Sequence, residues 1–276
     1  MGVHGSPMPA EGVTIVDPLH AAIGAWADWY RRMGVLDAVD DPAVAAMVPL
    51  PEMAAPEPEI AAARPTARAQ PAAGQRVAQA RLVAAACQSL GELESALQRF
   101  DGCGLAQTAT RLCFADGSPT ARLMLIGEAP GAEEDRRGKP FVGPSGQLLD
   151  RMLATIGLHR GSVWITNVVF WRPPGNRPPS AGEIAVCQPF LERQIELLRP
   201  RRILFLGGAG ARGLLELTDG VTKLRGRPYL YRPAQGDPIP AGVTFHPAYL
   251  LRQPLQKRFV WRDLLALRRQ LAEAAE

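Results

Sequence analysis

Residues 122–131 read Arg-Leu-Met-Leu-Ile-Gly-Glu-Ala-Pro-Gly. The apolar run Leu123 to Ile126 leads at once into a Gly/Pro turn carrying an acid, the pattern of a strand buried on both faces that ends in a loop. Three more short apolar runs follow, Arg202–Leu206, Val163–Val169 and Val243–Phe245. Helical patterns separate them: Gly146–Ile156 and Ala181–Leu198 lie between successive runs, and Gly210–Leu217 follows Leu206. Strands alternating with helices predict an α/β fold, a three-layer α/β/α architecture around a central four-stranded parallel sheet.

Outward from this block, Val77–Leu97 has helical spacing, and Pro254–Ala275 reads as a basic amphipathic helix. The globular domain is therefore assigned to residues 76–276. Residues 48–75 form an Ala/Pro-rich linker, with prolines at 49, 51, 56, 58, 65 and 71 that prevent a continuous helix. Residues 1–47 are an N-terminal appendage with a helix expected over His20–Gly34.

The 276 residues are 47% hydrophobic and 21% charged, ordinary values for a globular chain. Lys and Arg number 31 against 27 Asp and Glu, a net charge of +4 that permits a nucleic-acid partner without requiring one. No run reaches the ~18 apolar residues that cross a bilayer. Met1–Gly12 lacks the cationic and apolar stretches of a secretory signal. Four cysteines, Cys87, Cys103, Cys113 and Cys187, are too few for a disulfide scaffold, so a reducing, cytoplasmic compartment is expected.

Open α/β sheets bind ligands at the carboxyl ends of their strands. Here those ends carry Gly127–Gly131 with Glu128, then Asn167, then Gly207-Gly208, then His246-Pro247. An amide, an imidazole and an acidic Gly/Pro turn converge on one rim. Singly, each has a plainer reading: a strand-to-helix turn, a turn cap, a structural histidine. No G-x-G-x-x-G follows the first strand, and neither a Walker A loop nor a G-x-S-x-G elbow is present. His4, His20 and His159 do not have metal-ligand spacing.

These residues stand in longer phrases: Gly127-Glu128-Ala129-Pro130-Gly131-Ala132-Glu133-Glu134-Asp135, Gly138-Lys139-Pro140-Phe141-Val142-Gly143, Ile165-Thr166-Asn167, Arg172-Pro173-Pro174-Gly175-Asn176-Arg177 and His246-Pro247-Ala248-Tyr249-Leu250-Leu251-Arg252. In order and spacing, from about Cys103 to Leu271, the chain closely resembles the family 4 uracil-DNA glycosylases. The resemblance implies a four-stranded parallel sheet with helices on both sides and, as substrate, uracil in DNA. The expected partner is uracil-containing DNA, with no membrane partner, and the protein is expected to act as a monomer in base excision repair. The alternative is a catalytically weak nucleic-acid-binding or polymerase-accessory module of the same fold.

Chemistry then assigns roles. An extruded base needs a platform, and Phe141 offers a flat apolar face for stacking. Asn167 pairs with uracil O4 and N3–H through one acceptor and one donor, a pattern cytosine reverses. The resemblance places His246 at uracil O2, where charge develops during cleavage. It puts Ala129, in the substrate site, where other branches carry a water-orienting carboxylate. Glu134, or else Glu128, is then left to position the water. Leu250 and Leu251 are candidates for an apolar wedge in the base stack. Arg252, Arg177 and Lys257, with Lys139, Arg172 and Arg258, are candidates for phosphate contacts.

The family usually carries a four-iron, four-sulfur cluster on four cysteines. Here Cys103 and Cys187 match two of its ligands, while Phe100 and Trp171 stand at the other two. A cubane cluster needs a ligand, normally thiolate, at each iron. A cluster-free relative, with no metal site, is therefore expected.

Overall fold

The computed structural model describes residues 73–273. The N-terminal appendage, with the helix expected there, and all but the last three residues of the linker lie outside the described residues. Those three residues are helical: α1 spans Ala73–Ala86.

Six strands form one sheet: β1 (Asp116–Gly117), β2 (Leu123–Gly127), β3 (Trp164–Asn167), β4 (Arg202–Leu206), β5 (Tyr229–Tyr231) and β6 (Ile239–Thr244). Their spatial order is β1-β3-β2-β4-β6-β5. The four inner strands, β3, β2, β4 and β6, run parallel, as the sequence predicts. The expected count of four is corrected by two antiparallel edge strands, β1 against β3 and β5 against β6. The run Val163–Val169 contributes a strand only over Trp164–Asn167, and the last inner strand begins at Ile239, upstream of the expected Val243.

All five residues of β2 are buried, which is why its sequence shows no polar alternation. Met124, Ile126, Ile203, Phe205 and Val243 enter a cluster with Leu93, Leu97, Phe190 and Ile195. Side chains alternate along a strand, so the equally buried Leu123, Leu125, Ile165 and Leu204 serve the opposite face. Each such side chain contributes about 1.5–3 kcal/mol relative to exposure.

The remaining helices are α2 (Leu90–Gln98), α3 (Ala132–Arg137), α4 (Pro144–Ala154), α5 (Ala181–Leu198), α6 (Gly208–Leu214), α7 (Val221–Leu224), α8 (Pro247–Arg252) and α9 (Lys257–Glu273). The single helix expected over Val77–Leu97 is thus two, α1 and α2. Ser89 starts the second, its hydroxyl accepting from the Glu92 amide at 3.2 Å while the Glu92 carboxylate accepts from the Gln88 amide at 2.8 Å. The helix expected from Pro254 opens with a 3-10 turn, Pro254–Gln256, before α9. Among the described residues no helix is long and apolar enough to cross a membrane.

β3 and β4 flank β2 on opposite sides, so the order of the chain reverses across the sheet at β2. A crevice opens at the carboxyl end of such a reversal. Asn167 lies there in register with Gly127.

Candidate active site

The rim residues meet in one cavity of about 500 Å³. Phe141 and His246 line it from loops and Asn167 from the end of β3, together with Glu128 and Ala129 from the turn after β2 and Glu134 from α3. This is the convergence expected from the strand ends. A larger hollow of about 640 Å³ lies among Arg193, Glu196, Arg199 and Asp237, and none of the rim residues lines it.

Gly127 makes the cavity possible. A Cβ there would stand 2.3 Å from Asn167 Oδ1 and 2.5 Å from Phe141 Cζ. The missing side chain lets ring and amide close on the same space. Asn167 is 1% exposed, and its Oδ1 has no hydrogen-bond partner. A buried, unsatisfied acceptor costs about 1–3 kcal/mol, and this one belongs to a residue lining the cavity, where a ligand donor can meet it.

Phe141 adopts φ of 54°, the left-handed region that non-glycine residues avoid. Its ring centroid lies 5.5 Å from that of His246, tilted 34°. His246 caps α8, and its Nδ1 accepts from the Ala248 amide at 3.1 Å. Nδ1 is therefore unprotonated, and the ring proton sits on Nε2. Burial, with Arg252 adding, pushes the imidazole pKa down to about 4, so the ring is neutral near pH 7. A second contact braces this loop from behind. Thr244 Oγ1 donates to Asp263 at 2.7 Å, and Asp263 pairs with Arg225 at 2.6 Å. The Arg225 guanidinium lies over Phe245 and Phe259. Burial raises the Asp263 carboxyl pKa.

Glu134 is 9% exposed and more engaged than expected. Its Oε1 accepts from the Val142 and Gly143 amides at 2.9 and 2.8 Å, and its Oε2 from the Gly131 amide at 3.2 Å. It closes the turn after β2 onto the Phe141 loop.

Two expected DNA contacts, Leu250 and Lys257, are corrected, and a third, Arg177, is found in an ion pair. Leu250 is 0% exposed and belongs to the core, leaving Leu251, at 45%, as the exposed leucine of the pair. α8 turns the first inward and the second outward. Lys257 is 5% exposed, tucked under the start of α9, so its ammonium cannot track phosphates. Arg177 lines the cavity but is held by Glu183 through bonds of 2.9 and 2.7 Å, which pull that carboxyl pKa down to about 2. Its side chain stays about half exposed beside the cavity. Arg252 lines the cavity mouth, exposed as expected. Arg172 donates to Asn176, and Lys139 pairs with Asp116.

The four positions that match the family's usual cluster ligands are all buried in one apolar cluster, a plug in which Cys103 and Cys187 touch. Phe100, Cys103, Trp171 and Cys187 are 6%, 2%, 4% and 1% exposed. The Phe100 ring packs 5.0 Å from that of Phe190, and Trp171 meets Phe170 edge-on at 6.5 Å. The two thiols touch, Cys187 donating to Cys103 at 3.9 Å, and that contact with burial holds the Cys187 thiol pKa well above its ordinary value. Two thiols in direct contact, with aromatic rings at the remaining positions, do not fit a cubane that needs four separated thiolates. Among the described residues no group of three or more His, Cys, Asp or Glu is placed to hold a metal ion.

Sequence reasoning missed Arg160, which bonds the backbone of the Phe141 loop and stands in no recognisable phrase.

A mixed sheet with four parallel inner strands, and a flat ring, an open amide and a neutral imidazole in one rim cavity, define a protein built to enclose a planar heterocycle. The family model described as "Uracil DNA glycosylase superfamily" matches residues 114–265. The chain is 40% identical over 179 residues to a type-4 uracil-DNA glycosylase of Pyrobaculum aerophilum, covering 63% of this chain and 91% of that one. It is 39% identical over 171 residues to that of Sulfurisphaera tokodaii (60% and 77% covered) and 41% identical over 174 residues to that of Thermotoga maritima (61% and 87%). The chain belongs to the uracil-DNA glycosylase superfamily.

Proposed function

We propose that this protein is a monofunctional uracil-DNA glycosylase, which extrudes uracil from DNA and hydrolyses its N-glycosidic bond to initiate base excision repair. The observation that carries the reading is the partnerless Oδ1 of buried Asn167, in the same cavity as Phe141 and His246. That oxygen accepts uracil N3–H while the amide nitrogen donates to O4. Cytosine offers the reverse pattern and would bury two unpaired groups.

As the bond between uracil N1 and sugar C1′ breaks, its electron pair leaves with the base and positive charge grows on the sugar. Neutral His246 donates from Nε2 to uracil O2, where the anion develops. Each carboxylate oxygen has two acceptor sites. Glu134 Oε1 has spent both on amides, whereas Oε2 has spent one, so Oε2 keeps a site for the attacking water. Glu128 opposes the sugar cation. Leu251 occupies the gap in the stack, and Arg252 with Arg258 contacts phosphate. The protein acts as a monomer in the cytoplasm, and its plug of Phe100, Trp171 and paired thiols does without the cluster.

An end-labelled oligonucleotide with one uracil, single-stranded or paired, tests this. Alkali-labile cleavage at uracil alone is expected. Full-length DNA after prolonged incubation would overturn the reading, and binding without cleavage would favour the accessory module.

A further inference from the structure

We propose that Arg160, which does not line the cavity, is a positioning residue for the base-stacking platform. The proposal rests on the glycosylase reading. It follows from how one peptide is held. Arg160 Nη2 donates to the Phe141 carbonyl, and Nη1 donates to the Pro140 carbonyl at 3.2 Å. On the far side of the same peptide, Glu134 accepts the Val142 and Gly143 amides. The Phe141–Val142 peptide thus lies with its carbonyl on a cation and its amide on an anion, each charge opposite to the dipole end it meets. Phe141 is held there at φ of 54°, which its side chain disfavours.

The guanidinium is itself fixed. Its Nη1 pairs with Asp116 at 3.0 Å and its Nη2 with Asp150 at 3.1 Å, so two acids and two carbonyls take its forked donors at once. Gly146 leaves room for the arrangement: a Cβ there would meet the Phe141 carbonyl oxygen at 1.7 Å. A lysine ammonium can keep the charge near both acids but cannot reproduce the planar fork. Releasing the Pro140 and Phe141 carbonyls frees the peptides on both sides of Phe141 to rotate toward ordinary φ and ψ, which swings the ring out of register with Asn167 and His246. Loss of such alignment acts on base binding, in ground and transition states alike.

A double-mutant cycle tests this. Arg160→Gln and Arg160→Lys are each made in the wild-type chain and in Phe141→Ala. Inhibition by free uracil, KM and kcat on a uracil oligonucleotide, and thermal melting are measured. In the wild-type background both substitutions should weaken uracil inhibition and raise KM by about tenfold with kcat changed far less. In Phe141→Ala the same substitutions should change these values by less than about twofold. Equal losses in both backgrounds, or a fall in kcat with KM intact, would overturn the proposal. Arg160→Lys keeps the ion pairs, so the cycle can be read even if Arg160→Gln does not fold. A wild-type chain that excises no uracil would refute the glycosylase reading itself, a result separate from absent coupling in an active enzyme.

Discussion

The rim cavity and the plug are each assembled from side chains far apart in the chain, and they are finished in opposite ways. At the rim, polar valences are left open: Asn167 Oδ1 has no partner, and the Nε2 of His246 keeps its proton for a ligand. In the plug every position is closed, with two rings and two thiols at 6% exposure or less. Open buried valences destabilise the fold and persist where chemistry uses them. A scaffold has no such need. A cluster that only ties a loop to a helix can be replaced by any side chains that fill its volume, whereas an amide that reads a base has no substitute of equal shape. The proposed cluster-free plug beside an open pocket follows from that asymmetry.

The contrast breaks most readily at Asn167. Asn167→Asp puts a second acceptor where uracil O4 needs a donor, and kcat/KM for uracil should fall by on the order of 10³ or more, measured by single-turnover excision. Unchanged uracil kinetics would remove Asn167 as the reader. In the plug, Phe100→Ala should cost about 3–5 kcal/mol of stability by leaving a cavity, read from denaturant unfolding, while excision per folded molecule is kept. Protein purified without oxygen should be colourless. A brown chromophore with about four irons per chain would show that a cluster is held after all.

His246→Ala should lower kcat by about 10²–10³ with little change in DNA binding. Equal loss of binding and rate would reduce the imidazole to a spacer. Its depressed pKa sharpens the prediction. With the folded value near 4 and the unfolded value near 6.5, the unfolded chain takes up a proton that the folded chain does not. Stability from this group is therefore complete above pH 6.5 and declines toward pH 4. The kcat profile should be flat across that window, and an acid limb near 6.5 would show a charged, exposed ring. The smallest effect is expected at the rim's edge. Leu251→Ala should slow excision from duplex DNA by about tenfold and spare single strands, because only a paired stack needs a wedge.

The inner strands were legible where they are buried: all of β2 and β3, β4 after its first residue, and only the end of β6, whose partly exposed start at Ile239 showed no apolar run. The edge strands Asp116–Gly117 and Tyr229–Tyr231 are too short to show a period. The break between α1 and α2 had a signal in Ser89-Leu90-Gly91-Glu92, a capping pattern inside an otherwise continuous helical stripe. Phe141, Asn167 and His246 were readable as pocket residues because their chemistry is specific. The orientation of Leu250 against Leu251, and the burial of Lys257, depend on which way a short helix faces, and leucines and lysines carry no mark of that. Arg160 was invisible for another reason: its acids lie 44 and 10 residues away, and the carbonyls it holds are backbone.

The most direct test of the contrast is calorimetric titration of free uracil into the wild-type chain, Asn167→Ala and Phe100→Leu. Uracil should bind the wild type and Phe100→Leu with the same affinity and fail to bind Asn167→Ala. Undiminished binding by Asn167→Ala, or loss of binding on changing only the plug, would contradict the account.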